Sequence, residues 1–131
     1  FGNIMLNKIS LWNKKQLKIA LKYSKHLNVF LKTPVFDLKI SNPTFHQYIV
    51  RTKYRNELKE FLNNNNIDTA IHYPIPIHKQ IAYKNQFGKI SLPMTDKFSK
   101  EILSLPINPY LTVSEVNYVI KKIKEFFKYK E

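Results

Sequence analysis

Pro74 and Pro76 stand one residue apart near the middle of this chain and forbid regular structure through that point. Each ring fixes its own φ and removes a backbone donor, so neither a helix nor a central strand can pass. The preceding Thr69-Ala70-Ile71-His72-Tyr73 reads as a strand that ends there. His72, Tyr73 and His78 are thereby held on a stiff turn directly after a strand, which is how a binding loop is pre-organised on a scaffold. All three are expected on one concave surface, which requires the pleat to break at Pro74, because strand alternation sends His72 and Tyr73 to opposite faces. The plainer alternative is a proline-rich corner whose histidines satisfy buried backbone groups. A metal site would need a third ligand, and His46 is the nearby candidate by type. Two histidines spaced as His72 and His78 match no standard zinc pattern, so no metal is expected.

Periodicity organises the rest. Residues 6–27 read as a helix with Leu17, Ala20, Leu21, Ser24 and Leu27 on one face and lysines on the other. Val35 to Ile40 is extended between Pro34 and Asn42-Pro43. Residues 45–52 read as a strand. Tyr54, Leu58, Phe61 and Leu62 make the core-facing stripe of a second helix, which stops in four asparagines, a residue that tolerates the left-handed conformation of a helix end. His78 to Tyr83 suits a short helix and 84–92 a loop. Thr95 is placed to cap a third helix through Leu103, followed by an extended Ser104-Leu105-Pro106. Thr112-Val113-Ser114-Glu115 is a capping box opening a last helix with Val113, Val116, Ile120, Ile123 and Phe127 at helical spacing. The alternation of helix and strand predicts an α/β, or two-layer α+β, fold with a small, mostly antiparallel sheet covered by helices.

Composition removes several function classes. There is no cysteine, hence no disulfide scaffold, thiolate zinc site or cysteine nucleophile. Two distant glycines, Gly2 and Gly88, cannot build a glycine-rich phosphate cradle. No apolar run approaches the roughly 20 residues of a membrane helix, so a cytoplasmic protein without membrane contact is expected. The net charge of +13 raises the possibility of a small basic nucleic-acid binder. Against it, all the basic residues but Arg51 and Arg55 are lysines scattered along the chain, and the guanine-reading fork belongs to arginine. Specific nucleic-acid binding is not expected, while attraction for a phosphate-bearing substrate fits the field.

An ordered set of segments then points to one family. They are residues 46–51, Arg55-Asn56-Glu57-Leu58, the run from Ile67 through His72-Tyr73-Pro74-Ile75-Pro76-Ile77-His78 to Gln80, Leu105-Pro106-Ile107-Asn108-Pro109, and the closing Val-Ile helix. In order and spacing they resemble the C-terminal part of the DegT/DnrJ/StrS-type nucleotide-sugar aminotransferases. Trp12 through Tyr23 resembles the helix that joins that family's two domains. The resemblance runs from about Leu6 to Phe127. It implies the small C-terminal domain of a fold type I aminotransferase, with residues 1–32 as the interdomain helix and 33–131 as the small α/β domain.

It further implies a pyridoxal-phosphate enzyme, dimeric, that moves an amino group from glutamate to a keto sugar on a nucleoside diphosphate. The His-Tyr-Pro-x-Pro-x-His form is similar to members acting at the sugar 3-position. In this reading His72, Tyr73 and His78 contact the sugar or its diphosphate. The family's cofactor-bearing large domain, with its imine lysine, is expected to be absent here, so this chain alone should hold no cofactor, carry no catalytic residue and be inactive. Asn66 stands where the family usually has glycine. Phe1-Gly2-Asn3 superficially resembles a family loop but lies too close to Trp12 and is read as chance. The competing expectation is a non-enzymatic remnant or self-associating binding module, with apolar patches on the first helix and around the proline loop.

Overall fold

The structure is a computed structural model that describes residues 2–87 and 89–130. Helix α1 spans Gly2–Leu27 and strand β1 Tyr48–Arg51; α2 spans Arg55–Asn64, α3 Lys84–Phe87 and α4 Pro93–Glu101. Strand β2, Ile102–Leu105, follows α4 without a break, and α5, Val113–Lys128, closes the chain. β1 and β2 pair antiparallel, with Tyr48 opposite Leu105 and Arg51 opposite Ile102. Single bridges, Lys32 to Arg51 and Ala70 to Ser104, extend this ladder on either side. The α/β expectation of a small antiparallel sheet covered by helices therefore holds.

The core lies between the sheet and helices α1, α2 and α5. Leu58 and Leu62 of α2 and Ile123 of α5 are fully buried against Val50 and Leu103 of the sheet. Burying each such side chain stabilises by roughly 1.5–3 kcal/mol. α1 is clamped to the same layer by polar contacts: the Tyr23 hydroxyl donates to the Pro106 carbonyl at 2.9 Å. Ser24 Oγ lies 2.7 Å from the Tyr48 hydroxyl, and Gln16 Nε2 donates to the Phe45 carbonyl at 3.2 Å. Burial pushes the Tyr23 and Tyr48 phenol pKa values up.

Several local expectations are corrected. The strand expected over 45–52 is confined to 48–51, because Phe45 takes a left-handed φ of 51° that no extended ladder accommodates. The strand expected over 69–73 is reduced to the Ala70 bridge. The extended segment expected over 35–40 gives way to a turn at 38–40. Leu21 faces outward, and Tyr23 joins Ala20 and Leu27 in the buried stripe, the phenol being acceptable inside because its hydroxyl is satisfied. Val113 opens α5 on the exposed side.

Thr95 does not cap α4. Pro93 sits in the first turn with its fixed φ and absent donor, and the helix starts there. The short helix expected over 78–83 is two 3-10 turns, Ile77–Lys79 and Ile81–Tyr83, and the expected loop contains the single turn α3. Asn66 has φ 58°, so the residue after the end of α2 is left-handed as a glycine there would be. Of the Phe1-Gly2-Asn3 segment, Phe1 lies outside the described residues; Gly2 and Asn3 begin α1.

The accessible surface is 9509 Å², against roughly 7,000 Å² for a compact monomer of this mass. Large apolar side chains are exposed along much of the chain, and two groups of them concern the site. The first half of α1 exposes Leu6, Ile9 and Leu11, and the segment from the proline loop to α4 exposes Ile75, Ile77, Ile81 and Met94.

Candidate functional site

The Ala70 bridge sets the start of the proline loop. Ala70 and Ser104 exchange backbone hydrogen bonds at 3.3 and 2.8 Å. Two residues on, His72 Nδ1 lies 2.9 Å from Ser104 Oγ. The chain then turns through Pro74 and Pro76 into the Ile77–Lys79 turn, which seats His78 in the interior at 6% exposure.

The three sequence-selected residues are divided between two hollows. Tyr73 and His78 line a cavity of about 570 Å³ between the proline loop, α3 and α4, with Phe87, Ile90, Phe98 and Ile102 among its walls. His72 instead lines a hollow of about 210 Å³ with His46, Asp68 and Ser104. The His72 and Tyr73 rings meet edge to face at 5.8 Å, so the loop parts them at their own junction. Tyr73 is 72% exposed and stands at the cavity rim. Although His46 and His72 share the small hollow, the described residues contain no cluster of three metal-ligating side chains.

Asp96, in the first turn of α4, meets His78 of the larger cavity's lining. Its Oδ1 lies 3.3 Å from His78 Nε2, and its Oδ2 lies 2.7 Å from Lys79 Nζ. The hydrogen bond from Lys79 holds the Asp96 carboxyl below the usual carboxylate range, with the nearby His78 acting in the same direction. The His78–Asp96 contact is close but off hydrogen-bond alignment; both facing atoms are buried without another partner. Sequence reading missed Asp96, whose available signal was an acidic residue just after a proline-started helix.

Arg51 lies behind the cavity wall. Its Nη2 meets Glu101 Oε2 at 3.2 Å and its guanidinium stacks 3.5 Å from the centre of the Phe98 ring. Glu101 is thus its carboxylate partner, and the stacking stiffens Phe98 from outside.

No lysine whose side-chain placement is described is buried. An imine-forming lysine is activated by desolvation or by a neighbouring cation. The described residues thus do not fit pyridoxal phosphate as its covalent anchor. No helix among them is long and apolar enough to cross a membrane.

Comparison with known proteins gives a consistent result. The family described as DegT/DnrJ/EryC1/StrS aminotransferase matches residues 1–124. A dTDP-3-amino-3,6-dideoxy-alpha-D-galactopyranose transaminase of Aneurinibacillus thermoaerophilus is 36% identical over 116 residues, covering 87% of this chain and 31% of its own length. A dTDP-3-amino-3,4,6-trideoxy-alpha-D-glucose transaminase of Streptomyces venezuelae is 33% identical over 128 residues, covering 94% of this chain and 33% of its own. The crystal structure of S. venezuelae DesV in complex with a ketimine intermediate superimposes with a TM-score of 0.89 at 33% identity, over 95% of this chain and 34% of that one. The chain spans about a third of the length of the relatives it matches.

Proposed function

We propose that this chain, which belongs to the DegT/DnrJ/EryC1/StrS aminotransferase family, is the small C-terminal domain of a nucleotide-sugar aminotransferase. In this reading the complete enzyme takes an amino group from glutamate and places it on a 3-keto deoxyhexose carried by a nucleoside diphosphate. The observation that carries the reading is the identity, 36% and 33%, to two transaminases named for 3-amino deoxysugars on dTDP. The excess apolar surface on α1 and the proline loop supports a domain built to be covered by more protein, including a second copy in a homodimer.

The family depends on pyridoxal phosphate, which supplies the electron sink for amino transfer. We assign its binding to residues outside this chain, because no lysine whose side-chain placement is described is buried here. The chain's own contribution is substrate recognition. His72, Tyr73 and His78 are its contacts to the sugar nucleotide, held by the Ser104 hydroxyl, the two prolines and Asp96.

Fusing this chain to the cofactor-bearing two-thirds of the S. venezuelae relative tests the reading. The fusion should take up pyridoxal phosphate, develop the cofactor's visible absorption, and convert a dTDP-3-keto-deoxyhexose and glutamate to amino sugar and 2-oxoglutarate. A folded, cofactor-loaded fusion that aminates no nucleotide sugar would overturn it. This chain alone should form no saturable, lysine-specific adduct; one stoichiometric, borohydride-trapped lysine would contradict the assignment of the cofactor site elsewhere.

A further inference from the structure

Lys32 and Arg51 face each other across an antiparallel bridge, each donating its backbone N–H to the other's carbonyl, at 3.0 and 2.9 Å. Directly opposed residues send their side chains to the same face of a ladder, so two cations stand side by side here. Like charges in that position destabilise the pair unless a negative charge meets them. Glu101 meets Arg51 Nη2 at 3.2 Å. Among the described residues, Lys32 has no acidic partner.

A hollow of about 420 Å³ opens beside this pair, between the end of α1, the start of α2 and the end of α5. Lys32, Arg51, Lys53 and Lys130 all line it, Phe30, Tyr54 and Phe127 are among its walls, and none of its lining residues is aspartate or glutamate. Tyr54 gathers two of the cations. Lys53 Nζ lies 4.9 Å and Lys130 Nζ 5.0 Å from the centre of its ring. A ring quadrupole attracts an ammonium group without neutralising it, so the positive charge remains available.

Lysine is common in this chain, and most of its lysines are solvated one by one. Here cations from three distant stretches of sequence converge on one concavity with aromatic walls. A cleft of a single charge sign with low-dielectric walls focuses its field and concentrates counter-ions.

The geometry points to a binding site for a phosphate chain, an anion with charge on two or more adjoining phosphoryl groups, held by Lys32, Lys53 and Lys130 beside Arg51. Such a chain offers each ammonium group its own oxygen, whereas a monovalent ion satisfies only one of them. The site is separate from the proline-loop cavity, since none of residues 73–102 lines it. It stands independently of the aminotransferase reading.

Titration calorimetry of this chain with inorganic pyrophosphate, at fixed ionic strength, should show one saturable site. Lys32→Gln with Lys53→Gln should weaken it at least about tenfold, through lost charge-assisted hydrogen bonds. Lys14→Gln with Lys15→Gln removes the same charge from the outer face of α1 and should change it by less than about twofold, because salt screens distant charges. All four side chains are exposed, so the far-ultraviolet spectrum should stay that of the parent.

The same titration with ADP separates an inorganic phosphate chain from a nucleotide. Equal affinity assigns the first; a tighter fit that Tyr54→Leu removes assigns the second. Heat that never saturates, equal weakening by the α1 control, or binding that survives loss of Lys32 and Lys53 overturns the site. The probe carries no sugar and the readout is binding alone, so that failure leaves the aminotransferase reading intact.

Discussion

Ser104 reaches from β2 to hold His72 at the start of the proline loop, its Oγ 2.9 Å from the imidazole Nδ1. Ser104 is buried, so its hydroxyl trades water for this one ring. Ser104→Ala should destabilise the fold by about 1 kcal/mol. A double-mutant cycle with His72→Ala, read by urea unfolding, should return a coupling of about the same size. Additive single-mutant costs would show that the hydroxyl does not hold the ring.

The two buried tyrosines predict an alkaline limit. Desolvation raises the pKa of both Tyr23 and Tyr48 above the ordinary value of 10.0. The native state then keeps these phenol protons more tightly than the unfolded chain. Their contribution is complete below pH 10 and is lost as pH climbs through the folded values. Spectrophotometric titration should find most of the eight tyrosines ionising reversibly, with Tyr23 and Tyr48 following only as the far-ultraviolet signal collapses. Tyr23→Phe, which orphans the Pro106 carbonyl, should cost about 1 kcal/mol.

The capping box of α5 predicts an acid response. The Thr112 side chain and backbone hydrogen bonds hold the Glu115 carboxyl below its usual range. Its contribution is present above the unfolded value, about 4.3, and is lost as pH falls through the lowered folded one. Glu115→Gln should therefore flatten the acid limb of the stability profile. Thr112→Ala should cost about 1 kcal/mol near neutrality, read as a lower urea midpoint.

In the fusion enzyme, His72→Ala and His78→Ala should each lower kcat/KM for the sugar nucleotide by about ten- to a hundredfold while cofactor absorption stays unchanged. A lower melting temperature with normal kcat/KM would make both histidines structural.

The helices were legible and the strands were not, for a physical reason. α1, α2 and α5 announce themselves through spacing that depends on nearby residues, and Thr112 with Glu115 marks the start of α5 locally. Strand extent depends on partners. Residues 69–73 have the composition of a strand, yet the ladder there is one bridge, because only Ala70 meets Ser104. Phe45 looks like a strand residue and is left-handed, packed on Phe36 at 5.0 Å and Tyr48 at 6.0 Å, a choice made by the core. His72, Tyr73 and His78 stood out by type and by the prolines between them. Asp96 did not, since only the packing of α4 against the loop brings it to His78.

The sheet joins parts of the chain that are synthesised far apart. Arg51 and Glu101 meet across 50 positions, and Tyr23 and Pro106 across 83. Such contacts repay their loop-closure entropy only after the intervening helices have compacted. A chain leaving the ribosome therefore presents β1 with the edge that β2 will pair still open, well before β2 exists to cover it. That waiting edge, rather than any weakness of the finished core, is where a nascent copy is most open to pairing with a neighbour or to capture by a chaperone.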